Sequence, residues 1–183
     1  TTGEGGAVTT NDAGMAERLA RFRSHGIVHK PDRGGWYYEI DELAFNYRLT
    51  DIHAALGTSQ LAKLDRYLDR REALARRYDA LLVDLAVVPA PAPPPGFTHG
   101  RHLYPVRVPK RDDVYASMRA AGIGVQVHYV PIHRHPTFAG AVGGATFPAA
   151  DEAYAGLLSL PLHPGLSDAD QDRVLDVLAA ALP

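Results

Sequence analysis

Nine histidines stand in a chain of 183 residues, and four gather in and before the stretch HYVPIHRHP: His128, His133 and His135, with His102 upstream. Imidazole both donates and accepts hydrogen bonds near neutral pH. Such a group can ligate a metal, recognise a polar ligand, or consist of histidines satisfied within a loop. A metal site needs ligands that converge. Neither an HExxH pair nor a partner carboxylate at ligand spacing accompanies these histidines, so no metal is expected. His128 and His133 lie on either side of a Pro-containing bend, an arrangement that suits recognition of a polar ligand. A second candidate is Asn46-Tyr47-Arg48. An amide and a guanidinium just ahead of a helix N-terminus offer donors to an anion, and the helix dipole adds to their charge. The competing reading is helix capping beside a surface arginine. No Walker loop, GxSxG elbow or paired carboxylates occur.

These residues need elements to position them. The opening TTGEGGAVTTND places Gly3, Gly5 and Gly6 around one acid, a composition for a tight turn, then Ala7–Thr10 as a short strand. Asn11-Asp12 offers a turn and an N-cap to a helix from Ala13 to His25, which Gly26 ends. Residues 27–43 read as a long irregular loop holding the cluster Trp36-Tyr37-Tyr38. Thr50 or Asp51 caps one helix running to about Asp84, on an apolar stripe from Ile52 through Leu85. At about 1.5 Å per residue that rod is roughly 50 Å long. Gly57 weakens it by about 1 kcal/mol unless close packing needs the missing side chain.

PAPAPPPG, Pro89 to Gly96, breaks the pattern, because its prolines favour extended backbone. Strand and helix then alternate: strand 102–108, helix 111–121, strand 124–130, helix 151–158, a short strand in LSLPLHP, and a last helix capped by Ser167. This is the pattern of a small α/β domain.

Composition narrows the classes. With 46% hydrophobic residues the chain can bury a core. A net charge of -2 with dispersed cations argues against a nucleic-acid binder. The lack of cysteine excludes a disulfide framework and thiolate zinc, and fits a cytoplasmic protein. No apolar run approaches the roughly 20 residues that span a bilayer.

Five stretches in order, TTGEGGAVTTND, RFRSHGI, FNYRLTDIHAALGTSQLAKLD, VQVHYVPIHRHPTF and LSLPLHPGLSD, resemble the DegT/DnrJ/EryC1/StrS family of pyridoxal-phosphate-dependent nucleotide-sugar aminotransferases. The wording RSHGI and VHYVPIH is similar to the branch that aminates UDP-linked 4-keto-6-deoxy sugars, including pseudaminic acid pathway enzymes. The resemblance implies an α/β fold, the C-terminal part of a fold type I aminotransferase. Residues 1–50 would end the cofactor domain, 51–88 would form a long linking helix, and 89–183 the small domain. It implies that the Schiff-base lysine stands just before Thr1, since Lys30, Lys63 and Lys110 do not match its position. These residues alone are then expected not to catalyse transamination. It implies a homodimer with shared sites, Asn46 reaching the pyridoxal 5'-phosphate of the neighbouring subunit, with Arg48 either assisting or binding substrate phosphate. His128, Tyr129 and His133 would line the sugar-nucleotide side, with glutamate as the expected amino donor. The alternatives are a same-fold sugar dehydratase or lyase with histidine in place of the lysine, or a non-catalytic dimerising or ligand-binding module.

Overall fold

The computed structural model describes all residues from Thr1 to Pro183. They form two compact units, residues 1–64 and 65–183.

In the first unit, α1 (Ala13–Phe22) starts where Asp12 accepts a hydrogen bond from the Met15 amide at 2.9 Å. Three residues shorter than expected, it stops because His25 and Gly26 take left-handed backbone and the Gly26 amide turns back to the Arg21 carbonyl. A Cβ at Gly26 would strike the Glu42 carbonyl, so glycine is required there. The expected irregular loop holds a hairpin, β1 (Ile27–His29) and β2 (Tyr38–Ile40), paired antiparallel with Val28 opposite Glu39. Glu39 receives Arg33 Nη1 at 3.0 Å, and Arg33 also reaches the Tyr37 hydroxyl. These contacts tie the connecting turn to the β2 side through polar groups, with no apolar alternation to announce the strands. Ala7–Thr10 is not a strand.

The helix expected as one rod is two: α2 (Asp51–Leu61), capped by Thr50, and α3 (Leu64–Leu81). The break falls at Ala62-Lys63, just after Gly57-Thr58-Ser59, three residues of modest helix propensity. The Thr58 hydroxyl bonds back to the Ala54 carbonyl, a contact that bends helices. The Lys63 amide then reaches only to Gln60, tightening the turn. Gly57 does serve close packing, since a Cβ there would sit 3.1 Å from the Thr2 methyl.

The second unit is an α/β layer. β3 (Val88–Pro89), β4 (Tyr104–Arg107) and β5 (Leu157–Leu160) form an antiparallel sheet in that order, with Tyr104 opposite Leu160 and Val106 opposite Leu158. Alternation buries Tyr104 and Val106 and exposes Arg107. Besides α3, four helices complete it: α4 (Arg111–Ala120), the single turn α5 (Ala139–Val142), α6 (Pro148–Gly156) and α7 (Asp168–Ala181). The expected strand 124–130 contracts to a bridge between Gln126 and Ser159 on the free edge of β5. A capping box between Ser167 and Asp170 opens α7. Gln171, Val174, Leu175 and Leu178 make its buried face, at i, i+3, i+4 and i+7. They meet Val114 and Met118 of α4 and Leu74, Ala75 and Tyr78 of α3 in one core. No helix is long and apolar enough to cross a membrane.

Candidate functional site

Two groups of polar side chains take shape, one in each unit. In the first, residues 45–47 run extended alongside the end of α1: the His25 amide donates to Phe45 O, the Phe45 amide to Phe22 O, and the Tyr47 amide to Arg23 O at 2.8 Å. Extended backbone sends alternate side chains to opposite faces. Phe45 and Tyr47 stack on one face at 5.0 Å, with Phe22 edge-on to both. Asn46 and Arg48 share the other face, where Arg48 Nε donates to Asn46 Oδ1 at 3.2 Å. That bond occupies the amide oxygen. The Asn46 amide N–H groups and the remaining guanidinium N–H groups stay exposed, two residues before the Thr50 cap of α2. The donor set suits a phosphate, which accepts only. Nearby, the glycine-rich turn of residues 1–7 lies against Leu49, Gly57, Gln60 and Leu61 around a cavity of about 440 Å³.

In the second unit, His128 and His133 are held by different elements. His128 Nδ1 lies 3.0 Å from the Ser159 hydroxyl of β5. Ser159 is a buried polar residue in an otherwise apolar strand, and the Gln126 bridge aligns the two segments. Tyr129 packs edge-on against the His128 ring at 4.6 Å, and its own side chain is exposed. His133 Nε2 lies 2.9 Å from Asp151 Oδ1, and Arg134 Nε donates to the same oxygen at 2.6 Å. The hydrogen bond with His133, reinforced by the one from Arg134, holds the Asp151 carboxyl below the usual carboxylate range. Phe147 packs against the His133 ring at 4.8 Å.

The structure therefore joins Asn46 to Arg48, and His128 to Tyr129. It gives His133 a separate mooring on α6. Sequence reasoning missed Ser159, Asp151 and Arg134. Ser159 had a readable signal, a lone hydroxyl inside LLSLPL. Asp151 had none, because it lies 18 residues from His133 and only the fold brings them together.

The model of the DegT/DnrJ/EryC1/StrS aminotransferase family matches residues 1–179. A UDP-4-amino-4,6-dideoxy-N-acetyl-beta-L-altrosamine transaminase of Campylobacter jejuni is 35% identical over 100% of this chain and 49% of its own length. The structure of Helicobacter pylori PseC, an aminotransferase involved in pseudaminic acid biosynthesis, superposes with a TM-score of 0.89 at 31% identity, covering 100% of this chain and 50% of that one. A putative sugar aminotransferase of Streptococcus pneumoniae in its PLP form gives 0.83 at 27% identity, over 96% of this chain and 45% of that one. The chain spans about half the length of the curated relatives it matches.

Proposed function

The chain belongs to the DegT/DnrJ/EryC1/StrS aminotransferase family, and on that premise we propose that the whole protein moves an amino group, from glutamate, to the keto carbon of a nucleotide-linked deoxy sugar. The observation that carries this reading is the family match along residues 1–179, which takes in both polar groups. In this reading residues 1–50 end the cofactor domain, and α2 with α3 forms the connection to a small domain at 89–183. The protein works as a homodimer with shared sites.

Pyridoxal phosphate, when bound, supplies the electron sink that lets an amino group leave one carbon and join another. The residues of this chain bind and orient. Asn46 and Arg48 would hold the phosphate of the neighbouring subunit's cofactor with their free N–H groups. His128, with Nδ1 committed to Ser159, has Nε2 left for the substrate. Tyr129 adds an exposed ring and hydroxyl beside it. Fixing the sugar by such contacts lowers the barrier through orientation rather than through new chemistry.

The test is direct. The intact protein, loaded with pyridoxal phosphate and given glutamate and a UDP-linked 4-keto-6-deoxy sugar, should release 2-oxoglutarate and the matching amino-sugar nucleotide, both read by mass spectrometry. Release of 2-oxoglutarate no faster than in a sugar-free control, across UDP- and dTDP-linked keto sugars, would end the proposal.

A further inference from the structure

We propose that Asp151 is the positioning residue of His133: it fixes the imidazole as the Nε2–H tautomer, so that Nδ1 faces the ligand as an acceptor and meets a hydroxyl of the sugar. The inference rests on the proposed aminotransferase function and on the family resemblance, which implies that His133 lines the sugar-nucleotide side.

An ionised carboxylate can only accept, so the ring nitrogen 2.9 Å from Asp151 Oδ1 must carry the proton. The direction of the Asp151 shift agrees, since both its partners favour the ionised form. The neutral ring then has one acceptor left, Nδ1, and that atom has no hydrogen-bond partner in the protein. The His133 side chain is 16% exposed and packed against Phe147, so the ring has little freedom to turn.

Asp151 sits on the first turn of α6 and is held there by Arg134. Tyr154 lies one turn further along α6, on the same face. The Arg134 guanidinium sits 5.1 Å from the Tyr154 ring centre, and the Arg111 guanidinium 5.0 Å from it. Arg111 is itself buried at the start of α4 and reaches toward the Leu157 carbonyl. Arg134 thus grips α6 twice, through the Asp151 carboxylate and the Tyr154 ring, and it is the residue next to His133. The turn bearing His133 and the helix bearing Asp151 are held together by three side chains, none of which contacts His133 Nδ1.

The consequence is chemical selectivity. A lone pair beside a carboxylate repels phosphate and carboxylate groups and attracts O–H or N–H. A sugar hydroxyl is the donor class that the proposed substrate supplies. His133 discriminates among sugars by the presence of that hydroxyl, because a substrate lacking it leaves Nδ1 desolvated and unpaired.

The experiment uses the loaded, intact enzyme labelled with ¹⁵N-histidine, at about pH 8.5, well above the ordinary histidine range. His133 is assigned by the signals lost in His133→Gln. The expected result is a protonated Nε2 and an unprotonated Nδ1 in the wild type, collapsing toward a mixture in Asp151→Ala and recovering in Asp151→Glu. Sugar-nucleotide KM should rise about tenfold in Asp151→Ala, the worth of one hydrogen bond, with kcat changed far less. A proton on Nδ1 in the wild type overturns the proposal without any variant, and so does an unchanged Nε2–H tautomer in Asp151→Ala. If the tautomer behaves as expected but His133→Gln leaves the sugar-nucleotide KM unaltered, the positioning stands, and both the hydroxyl contact and the substrate-side reading of His133 fail.

Discussion

Between Thr1 and Leu64 only Gly26 is buried, whereas every buried apolar side chain, from Leu74 to Leu178, belongs to the second unit. The first unit is not short of apolar residues. Val8, Trp36, Ile40, Leu43 and Ile52 are all more than half exposed. What it has instead of a core is main-chain pairing, an aromatic triplet at Phe22, Phe45 and Tyr47, and ion pairs across a hairpin. The difference teaches that apolar residues make a core only where another face of this chain meets them. A core forms where faces of matching period meet, as α4 meets α7 and β5. The two units should therefore respond differently to the same kind of change.

The largest effect should come from the second unit. Leu158→Ala, at a fully buried position in β5, should cost about 2–5 kcal/mol of unfolding free energy in urea titration, because the neighbours cannot close the cavity. A loss below about 1 kcal/mol would break the contrast at its strongest point. The next effect tests whether backbone, not side-chain burial, governs the first unit. Gly26→Ala combines a φ of +69° with a clash at the Glu42 carbonyl. It should cost about 1–3 kcal/mol and speed hydrogen exchange at the β1–β2 amides while leaving β4 and β5 protected.

A smaller, pH-dependent effect should appear at Glu72. The hydrogen bond from Arg101 at 2.8 Å, with Arg76 beside it, holds this carboxyl below its ordinary value of 4.5. A depressed folded value means stability present above 4.5 and lost as pH falls below it. Glu72→Gln should thus lower the melting temperature at pH 7 and flatten its decline in acid. Identical acid slopes in variant and parent would show that the pair contributes nothing. The smallest effect should be Trp36→Ala. At 79% exposure, the side chain should change stability by no more than about 0.5 kcal/mol in the same titration.

The sequence was most legible where a local rule acts alone. Asp12, Thr50 and Ser167 each cap the helix they announce, and Gly122 ends α4 in left-handed backbone as its position suggested. The motifs around Asn46 and His133 were legible as a family pattern. The hairpin at 27–40 was hidden because its strands are three residues long and held by exposed polar pairs. The break between α2 and α3 was hidden because the apolar stripe continues across it, while Thr58 and Gly57 act through the backbone. In the site, Asn46 with Arg48 is a contact two residues apart and could be read directly. The Asp151 anchor of His133 and the Ser159 anchor of His128 span 18 and 31 residues, and only the folded sheet and α6 bring them near.

One arginine of α3 has a bearing on how this chain can vary. Arg71 Nη1 donates to the carbonyls of Arg101, His102 and Leu162, at 2.9, 3.2 and 2.9 Å. Arg101 is fastened again by Glu72 and by His99. The proline-rich run from Pro89 is thus closed at one end by the pairing of β3 with β4 and at the other by this knot, with mostly exposed residues between. Lengthening a loop whose ends are already fixed costs only about 0.6 kcal/mol per doubling. Residues 91–97 are therefore the place where insertions, an added peptide tag or a protease site can be accommodated while the sheet keeps its register.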